Sequence, residues 1–173
     1  MRRRGNLLGF AACVALLGYA WYAQVVLHLE PCPLCIFQRV GIALIGVLFL
    51  AAGLHDPRRW GARIYGLLQL IAAVGTVGIA ARHIWIQHQP PGSVAACGAT
   101  LSYMLDILPV TAVIRKVLTG SGECAQVTWR FLGLSMPTWV LIAAVVLALW
   151  AIYVNLSPRR QTRRPGEIVT ALR

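Results

Sequence analysis

Two cysteines separated by two residues could form a reversible disulfide. Cys32 and Cys35 flank Pro33 and Leu34, with one apolar stretch ending just before them and another beginning just after. A C-x-x-C dithiol exchanges electrons by opening and closing its disulfide. At a membrane surface, such a pair could pass electrons between a water-soluble thiol and a compound dissolved in lipid. This pair is the first candidate for a redox site.

The position of Cys35 favours a thiolate. Pro33 suits the first turn of a helix, so Cys35 is expected in that turn, where unpaired N–H groups and the helix dipole stabilise negative charge. Arg39 follows four residues later, on the same helix face. An arginine inside a membrane segment indicates a function. It is predicted to stabilise the thiolate or to donate to a carbonyl of a lipid-soluble acceptor, with snorkelling to the interface as the alternative.

Two further cysteines could form a second disulfide. Cys97 follows Pro90-Pro91-Gly92, and Cys124 follows Gly120-Ser121-Gly122. These flexible and exposed contexts suit exchange with another protein, and a structural staple is the alternative. Cys13 stands among apolar residues and is predicted to be a small core residue.

Other uses of the C-x-x-C pair are less compatible with the sequence. Haem attachment requires a histidine directly after the second cysteine, and Ile36 stands there. A structural zinc site needs a second ligand pair at close spacing, which Cys97 and Cys124 do not provide. We therefore expect no metal. A static structural disulfide between Cys32 and Cys35 remains an alternative.

The composition is that of a membrane protein. The 173 residues are 58% hydrophobic and 12% charged, with a mean hydropathy of +0.69, whereas a soluble domain is about a quarter charged. One redox domain is expected over residues 1–156, with a basic, disordered cytoplasmic tail over 157–173. Four apolar segments approach the length of about 20 residues that spans a bilayer. They cover about residues 7–29, 36–54, 64–81 and 138–156, with a long loop over 82–137.

The arginines predict a topology. Eleven of the 16 lysines and arginines stand in three clusters. Because positive residues favour the cytoplasmic side, both termini are expected inside and the four redox cysteines outside, in the oxidising periplasm of a bacterium. A nucleic-acid partner is not expected, since no basic surface domain carries the charge. The clusters are Arg2, Arg3 and Arg4; Arg58, Arg59 and Arg63; and Arg159, Arg160, Arg163, Arg164 and Arg173.

Two segments have alternative interpretations. The first apolar segment could be a signal peptide, but its length and the bulky Trp21 and Tyr22 favour a membrane helix with interfacial aromatic residues. In the long loop, apolar residues recur at helical spacing between Leu101 and Leu118. This pattern predicts a short amphipathic helix on the membrane, and a helix packed on the bundle is the alternative.

Several motifs together identify a family. They are Pro31-Cys32-Pro33-Leu34-Cys35 with Arg39, then Arg82-His83, then Cys97 and Cys124, and finally Trp129-Arg130-Phe131-Leu132-Gly133-Leu134-Ser135-Met136-Pro137-Thr138-Trp139. In these motifs the chain resembles the DsbB family of bacterial inner-membrane thiol:quinone oxidoreductases. The resemblance covers the four-helix core but not the tail. It implies an all-α membrane protein, a four-transmembrane-helix bundle whose long periplasmic loop carries a short amphipathic helix.

The resemblance also implies an electron relay. A reduced periplasmic thioredoxin-fold protein of the DsbA type would attack a Cys97–Cys124 disulfide at Cys97. Electrons would then reach Cys32–Cys35 through a transient Cys32–Cys124 link.

The final acceptor implied by the resemblance is a quinone from the membrane pool. Cys35 would pass the electrons to it, with Arg39 and His83 in the quinone site. Ubiquinone is the expected quinone, and menaquinone is the alternative.

Two other functions are compatible with four cysteines on a helix bundle. A quinone reductase of the vitamin K epoxide reductase type has its cysteine pairs arranged differently along the chain, and the segment 129–139 argues against it. A non-catalytic membrane adaptor with structural disulfides is distinguished by Cys-to-Ser variants. The adaptor would lose stability, whereas a relay would lose turnover while staying folded. A further alternative is a paralogue that serves one dedicated partner.

Overall fold

The structure is a computed structural model, and it describes residues 2–29, 31–89, 106, 109, 111–113, 122–125 and 129–156. Cys97, most of the predicted amphipathic helix and the tail after Leu156 lie outside these residues.

Within the described residues, four helices are long and apolar enough to cross a membrane. Together with a short helix and a small hairpin, they are the elements whose limits the structure gives. These are α1 (Arg2–Val25), α2 (Pro33–His55), α3 (Arg59–Gln87), α4 (Gly122–Ala125), β1 (Arg130–Phe131), β2 (Leu134–Ser135) and α5 (Met136–Ala151), which continues as a π-helix (Ile152–Leu156). The predicted fold class, a four-helix membrane protein, is confirmed.

The predicted helix limits were wrong at several ends. The first helix runs from Arg2 to Val25 rather than over 7–29. The third extends to Gln87, so Arg82 and His83 are helical and do not belong to the loop predicted over 82–137. Apolar runs mark the part of a helix that lies in lipid, but backbone hydrogen bonding continues into polar residues at its ends.

Proline and aspartate residues set the ends of α2. Cys32 is the N-cap, with an extended backbone (φ −65°, ψ 161°), and Pro33 follows in the first turn. At the other end, Asp56 adopts a left-handed conformation (φ 38°) and its N–H bonds to the carbonyl oxygen of Ala52. Pro57 comes next and cannot continue the helix. Cys35 lies in the first turn of α2, as predicted.

The helices pack in the order α1, α2, α3 and α5, and the core lies between them. Its buried residues come from all four helices, and Phe49 of α2 is fully buried. Gly9 of α1 lies so close to the Phe49 ring that an added Cβ would stand 2.8 Å from it. Cys13 is buried in this core, as predicted.

A buried amide cluster joins three helices at the end of the bundle away from Cys32. Asn6 Nδ2 donates to Asn155 Oδ1 at 3.1 Å, and Asn155 Nδ2 donates to Asn6 Oδ1 at 2.9 Å and to Gln69 Oε1 at 2.9 Å. Such bonds satisfy polar groups where lipid and side chains exclude water. The cluster therefore stabilises the packing of α1, α3 and the π-helix.

A two-residue hairpin precedes α5. Arg130 pairs with Ser135 and Phe131 with Leu134, and Leu132 and Gly133 form the turn with positive φ angles of 52° and 80°. Positive φ at both central residues is the turn geometry that tight hairpins favour. Ser135 Oγ donates to Gln87 Oε1 at 2.9 Å, which joins the hairpin to the end of α3.

Candidate functional site

The Cys32–Cys35 pair lies at the start of α2, with its sulfur atoms 3.2 Å apart. Both side chains are partly exposed. Leu34 between them is fully buried and packs with Ile86, Val113 and Cys124. Because Leu34 packs inside the protein, the turn holds both sulfurs at its edge, where they can form a disulfide with each other as two electrons pass to an acceptor.

His83 lies against both thiols. Its Nε2 is 3.7 Å from the Cys32 sulfur, and its Nδ1 is 4.0 Å from the Cys35 sulfur. The ring is almost fully buried. Sequence reasoning placed His83 in a quinone site; the structure brings it to the dithiol, 51 residues from Cys32 along the chain.

Two further groups bind the His83 ring. Gln38 Nε2 lies 3.1 Å from Nδ1, and the carbonyl oxygen of Cys124 lies 3.2 Å from Nε2. Sequence reasoning missed Gln38. The signal was a polar side chain in an apolar helix, three residues after Cys35 and therefore on the same face.

Cys124 of α4 is buried beside the dithiol. It packs with Leu34, Ile86 and Val113, and Cys32 lies against the same cluster. Val113 comes from the predicted amphipathic segment, so at this residue the segment contacts the bundle. The structure thus brings Cys32, Cys35, His83 and Cys124 together. Cys97 lies outside the described residues.

Arg39 contacts α1. Its Nη1 donates to Gln24 Oε1 at 2.6 Å, and its Nη2 donates to the carbonyl oxygen of Ala20 at 3.1 Å. Sequence reasoning missed Gln24 as its partner. A guanidinium has five N–H groups, so these two bonds fix its plane without exhausting its donors.

Aromatic side chains gather near the end of α1 that Arg39 contacts. Tyr19 lies 6.3 Å from Trp129, Trp129 stacks on Phe131 at 5.9 Å, and Phe131 lies 5.9 Å from Trp139. Trp139 Nε1 also donates to the Phe131 carbonyl oxygen at 3.2 Å. Aromatic groups of this kind are enriched at the membrane interface.

The described residues contain one Cys-Cys-His group with metal-ligand spacing. Ligand atoms of Cys32, Cys35 and His83 lie within 4.8 Å of one another, and soft ions take such ligands. However, both nitrogens of the His83 ring already have partners in Gln38 and Cys124. An ion would have to displace one of these bonds, so the arrangement fits a redox pair better than a metal centre.

Comparison with known proteins shows the family. A profile of the family described as "Disulfide bond formation protein DsbB" matches residues 2–154. The chain belongs to the DsbB family. Its DsbB relatives include a "Disulfide bond formation protein B" of Xanthomonas axonopodis pv. citri (strain 306), 50% identical over 157 residues that cover 90% of this chain and 91% of the relative. A protein of the same name from Nitrosococcus oceani is 47% identical over 146 residues, covering 83% of this chain and 86% of the relative.

Membership of the DsbB family gives the coarse function. The protein has an oxidoreductase role in disulfide bond formation. The four apolar helices of its described residues fit a multi-pass membrane protein. The DsbB match therefore supports the predicted family, and it favours this family over the vitamin K epoxide reductase type.

Proposed function

We propose that the protein is a thiol:quinone oxidoreductase. It reoxidises a periplasmic dithiol oxidase of the DsbA type and passes the electrons to a membrane quinone. One dithiol becomes a disulfide while one quinone takes two electrons and two protons to become a quinol. The observation that carries this proposal is the contact of His83 with both thiols and with the backbone of Cys124.

The first step is exchange with the partner. A thiolate of the DsbA-type protein attacks Cys97 of a Cys97–Cys124 disulfide, and Cys124 leaves as a thiolate. The second partner thiolate then resolves the mixed disulfide, which releases an oxidised partner. DsbA is itself a strong oxidant, at about −120 mV, so its reoxidation needs an acceptor of higher potential.

The second step joins the two dithiols. The Cys124 thiolate attacks Cys32, the Cys32–Cys35 bond breaks, and Cys35 leaves as a thiolate. The packing of Cys124 and Cys32 in one cluster supports this order. When the Cys97 thiolate recaptures Cys124, the Cys32–Cys35 pair is left as a dithiol.

The third step reduces the quinone. Cys35, in the first turn of α2, delivers two electrons as the Cys32–Cys35 disulfide forms again, and its start-of-helix position stabilises the thiolate. Arg39 would hold the quinone through N–H groups beyond those that bind α1, and His83 would line the site without a hydrogen bond to the quinone, because both of its ring nitrogens already have partners. The proposed acceptor is ubiquinone, with menaquinone as the alternative.

The proposed location is the bacterial inner membrane. Both termini face the cytoplasm, where the arginine clusters belong, and the redox cysteines face the periplasm. This topology gives a soluble partner access to the loop and gives quinone access from the lipid.

Quinone absorbance tests the proposal. Purified protein in detergent is mixed with reduced DsbA-type protein and ubiquinone, alongside Cys32→Ser and Cys97→Ser variants. Catalytic loss of quinone in the wild type, abolished in both variants while they stay folded, is the expected result. Failure with ubiquinone, with menaquinone and with several partners would favour the adaptor interpretation.

A further inference from the structure

We propose that Gln38 positions the second dithiol for exchange with the first. Its side-chain amide donates to Nδ1 of His83 and so stabilises the tautomer whose Nε2–H bonds to the backbone of Cys124 beside the Cys32–Cys35 pair. Gln38 is thus a positioning residue for transfer between the dithiols. The inference rests on the proposed function, because it concerns the Cys124–Cys32 step of the relay.

The tautomer of His83 follows from the Cys124 carbonyl. A neutral imidazole has one donor nitrogen and one acceptor nitrogen. The Cys124 oxygen can only accept a hydrogen bond, and it lies 3.2 Å from Nε2. In the neutral ring, Nε2 therefore carries the hydrogen, which leaves Nδ1 as the acceptor. This assignment does not depend on how the Gln38 amide is oriented.

Gln38 supplies the donor that Nδ1 then requires. Its Nε2 lies 3.1 Å from Nδ1, and Gln38 and His83 are each 2% exposed. At such burial the ring depends on protein groups for its hydrogen bonds. The opposite tautomer would place a hydrogen on Nδ1 facing the amide N–H and leave a lone pair facing the Cys124 carbonyl. Gln38 therefore stabilises the tautomer that binds Cys124.

The bond to Cys124 matters because the described part of α4, Gly122–Ala125, is a single turn. A single turn is marginal without outside contacts. Described contacts that hold α4 include the His83 bond and the burial of Cys124 against Leu34, Ile86 and Val113. Loss of the bond would reduce the fraction of time for which Cys124 lies within reach of Cys32.

The step that depends on this placement is a balanced exchange. The Cys124 thiolate attacks the Cys32 sulfur, a Cys124–Cys32 bond forms, and the Cys32–Cys35 bond breaks. The electron pair leaves with Cys35 as its thiolate. Protons need not move in the step, so the placement of Cys124 governs its rate.

The step is measured in a Cys97→Ser background, in which Cys124 has no Cys97 disulfide to return to. The pair Cys32–Cys35 is oxidised with quinone, samples are quenched in acid and alkylated, and the Cys32–Cys124 link is quantified by mass spectrometry. Gln38→Met keeps the length of the side chain and removes the donor. It is expected to form the link about tenfold more slowly, the loss that one buried hydrogen bond produces.

Gln38→Glu is the rescue variant. A protonated carboxyl group would donate to Nδ1, and an ionised one would accept from a doubly protonated ring, so Nε2 keeps its hydrogen either way. Its link formation is expected within about threefold of the parent rate. Val40→Ala, on the same helix with Val40 61% exposed, is the matched control and is expected to form the link at the parent rate.

Four results would overturn the inference. The Gln38→Met variant could form the link at the parent rate. It could also raise the KM for quinone with an unchanged rate of link formation, which would place Gln38 at the quinone site. If the parent with Gln38 intact forms no Cys32–Cys124 link, the proposed relay itself fails, and that result is distinct because it needs no change at Gln38. A melting temperature for each variant separates these outcomes from misfolding. If Gln38→Met misfolds while Gln38→Glu folds and forms the link, the amide of Gln38 has only a structural role.

Discussion

The guanidinium of Arg39 on α2 donates to the side chain of Gln24 on α1, with Nη1 2.6 Å from Oε1. A second bond, to the carbonyl oxygen of Ala20, also runs from α2 to α1. The two bonds hold the guanidinium in one plane, one helical turn below Cys35. The charge is thereby kept at a fixed place near the proposed electron donor, which a mobile side chain would not achieve.

Arg39→Ala is expected to weaken the use of quinone. The loss of a charge-assisted donor should raise the KM for quinone about tenfold or more. Exchange with the DsbA-type partner should be largely retained, because the hydrogen bonds of Arg39 run to α1 and not to Cys124. Steady-state kinetics with each substrate varied in turn measure both effects. Unchanged quinone kinetics would remove Arg39 from the quinone site.

Gln24→Met should have a milder form of the same effect. It removes the acceptor that orients Arg39 while keeping the length of the side chain, so the KM for quinone should rise about threefold to tenfold. Gln24→Glu retains an acceptor for the guanidinium and serves as the matched control. Equal KM values for the wild type and Gln24→Met would show that the orientation of Arg39 does not matter.

Cys13→Ala should keep full turnover. Cys13 is buried in the core among residues of α2, α3 and α5, away from His83. Removing its sulfur should lower the free energy of unfolding by about 1 kcal/mol. Thiol-dependent quinone reduction and thermal unfolding in detergent check these two results. A large loss of turnover in a folded variant would give Cys13 a redox role.

Gly9→Ala should destabilise the bundle. The new Cβ would lie 2.8 Å from the Phe49 ring, which is fully buried and cannot move aside easily. The expected cost is about 1–3 kcal/mol. Gly75→Ala is the matched control: it also lies inside a long helix, and nothing stands within 4 Å of its Cβ position. That variant should be at least as stable as the wild type, and equal melting temperatures for the two variants would contradict the packing described for Gly9.

Local sequence signals predicted much of the fold. Apolar runs located four helices, and Pro33 predicted the start of α2 with Cys35 in its first turn. The helix ends were less predictable, since α3 continues through His83 to Gln87, where Ile86 packs against Leu34 and Gln87 binds Ser135. Such signals come from residues that are adjacent in the sequence. They predict the structure correctly where those adjacent residues determine it.

The contacts of the candidate site could not be predicted in the same way. Gln38 and His83 are 45 residues apart, and His83 and the Cys124 carbonyl are 41 apart. The Asn6–Asn155 pair joins residues 149 apart. Such contacts depend on which helix faces meet, and periodicity in a single sequence does not specify that. His83 could be named from the family resemblance, but its position against both thiols could not.

The coupling between the two half-reactions tests the central proposal most directly. Reduced DsbA-type protein and ubiquinone are supplied together, and partner disulfide and quinone loss are measured in the same sample over many turnovers. We expect one quinone reduced for each partner disulfide formed. Partner oxidation without quinone loss, or quinone loss without partner oxidation, would contradict a relay from thiol to quinone through this site.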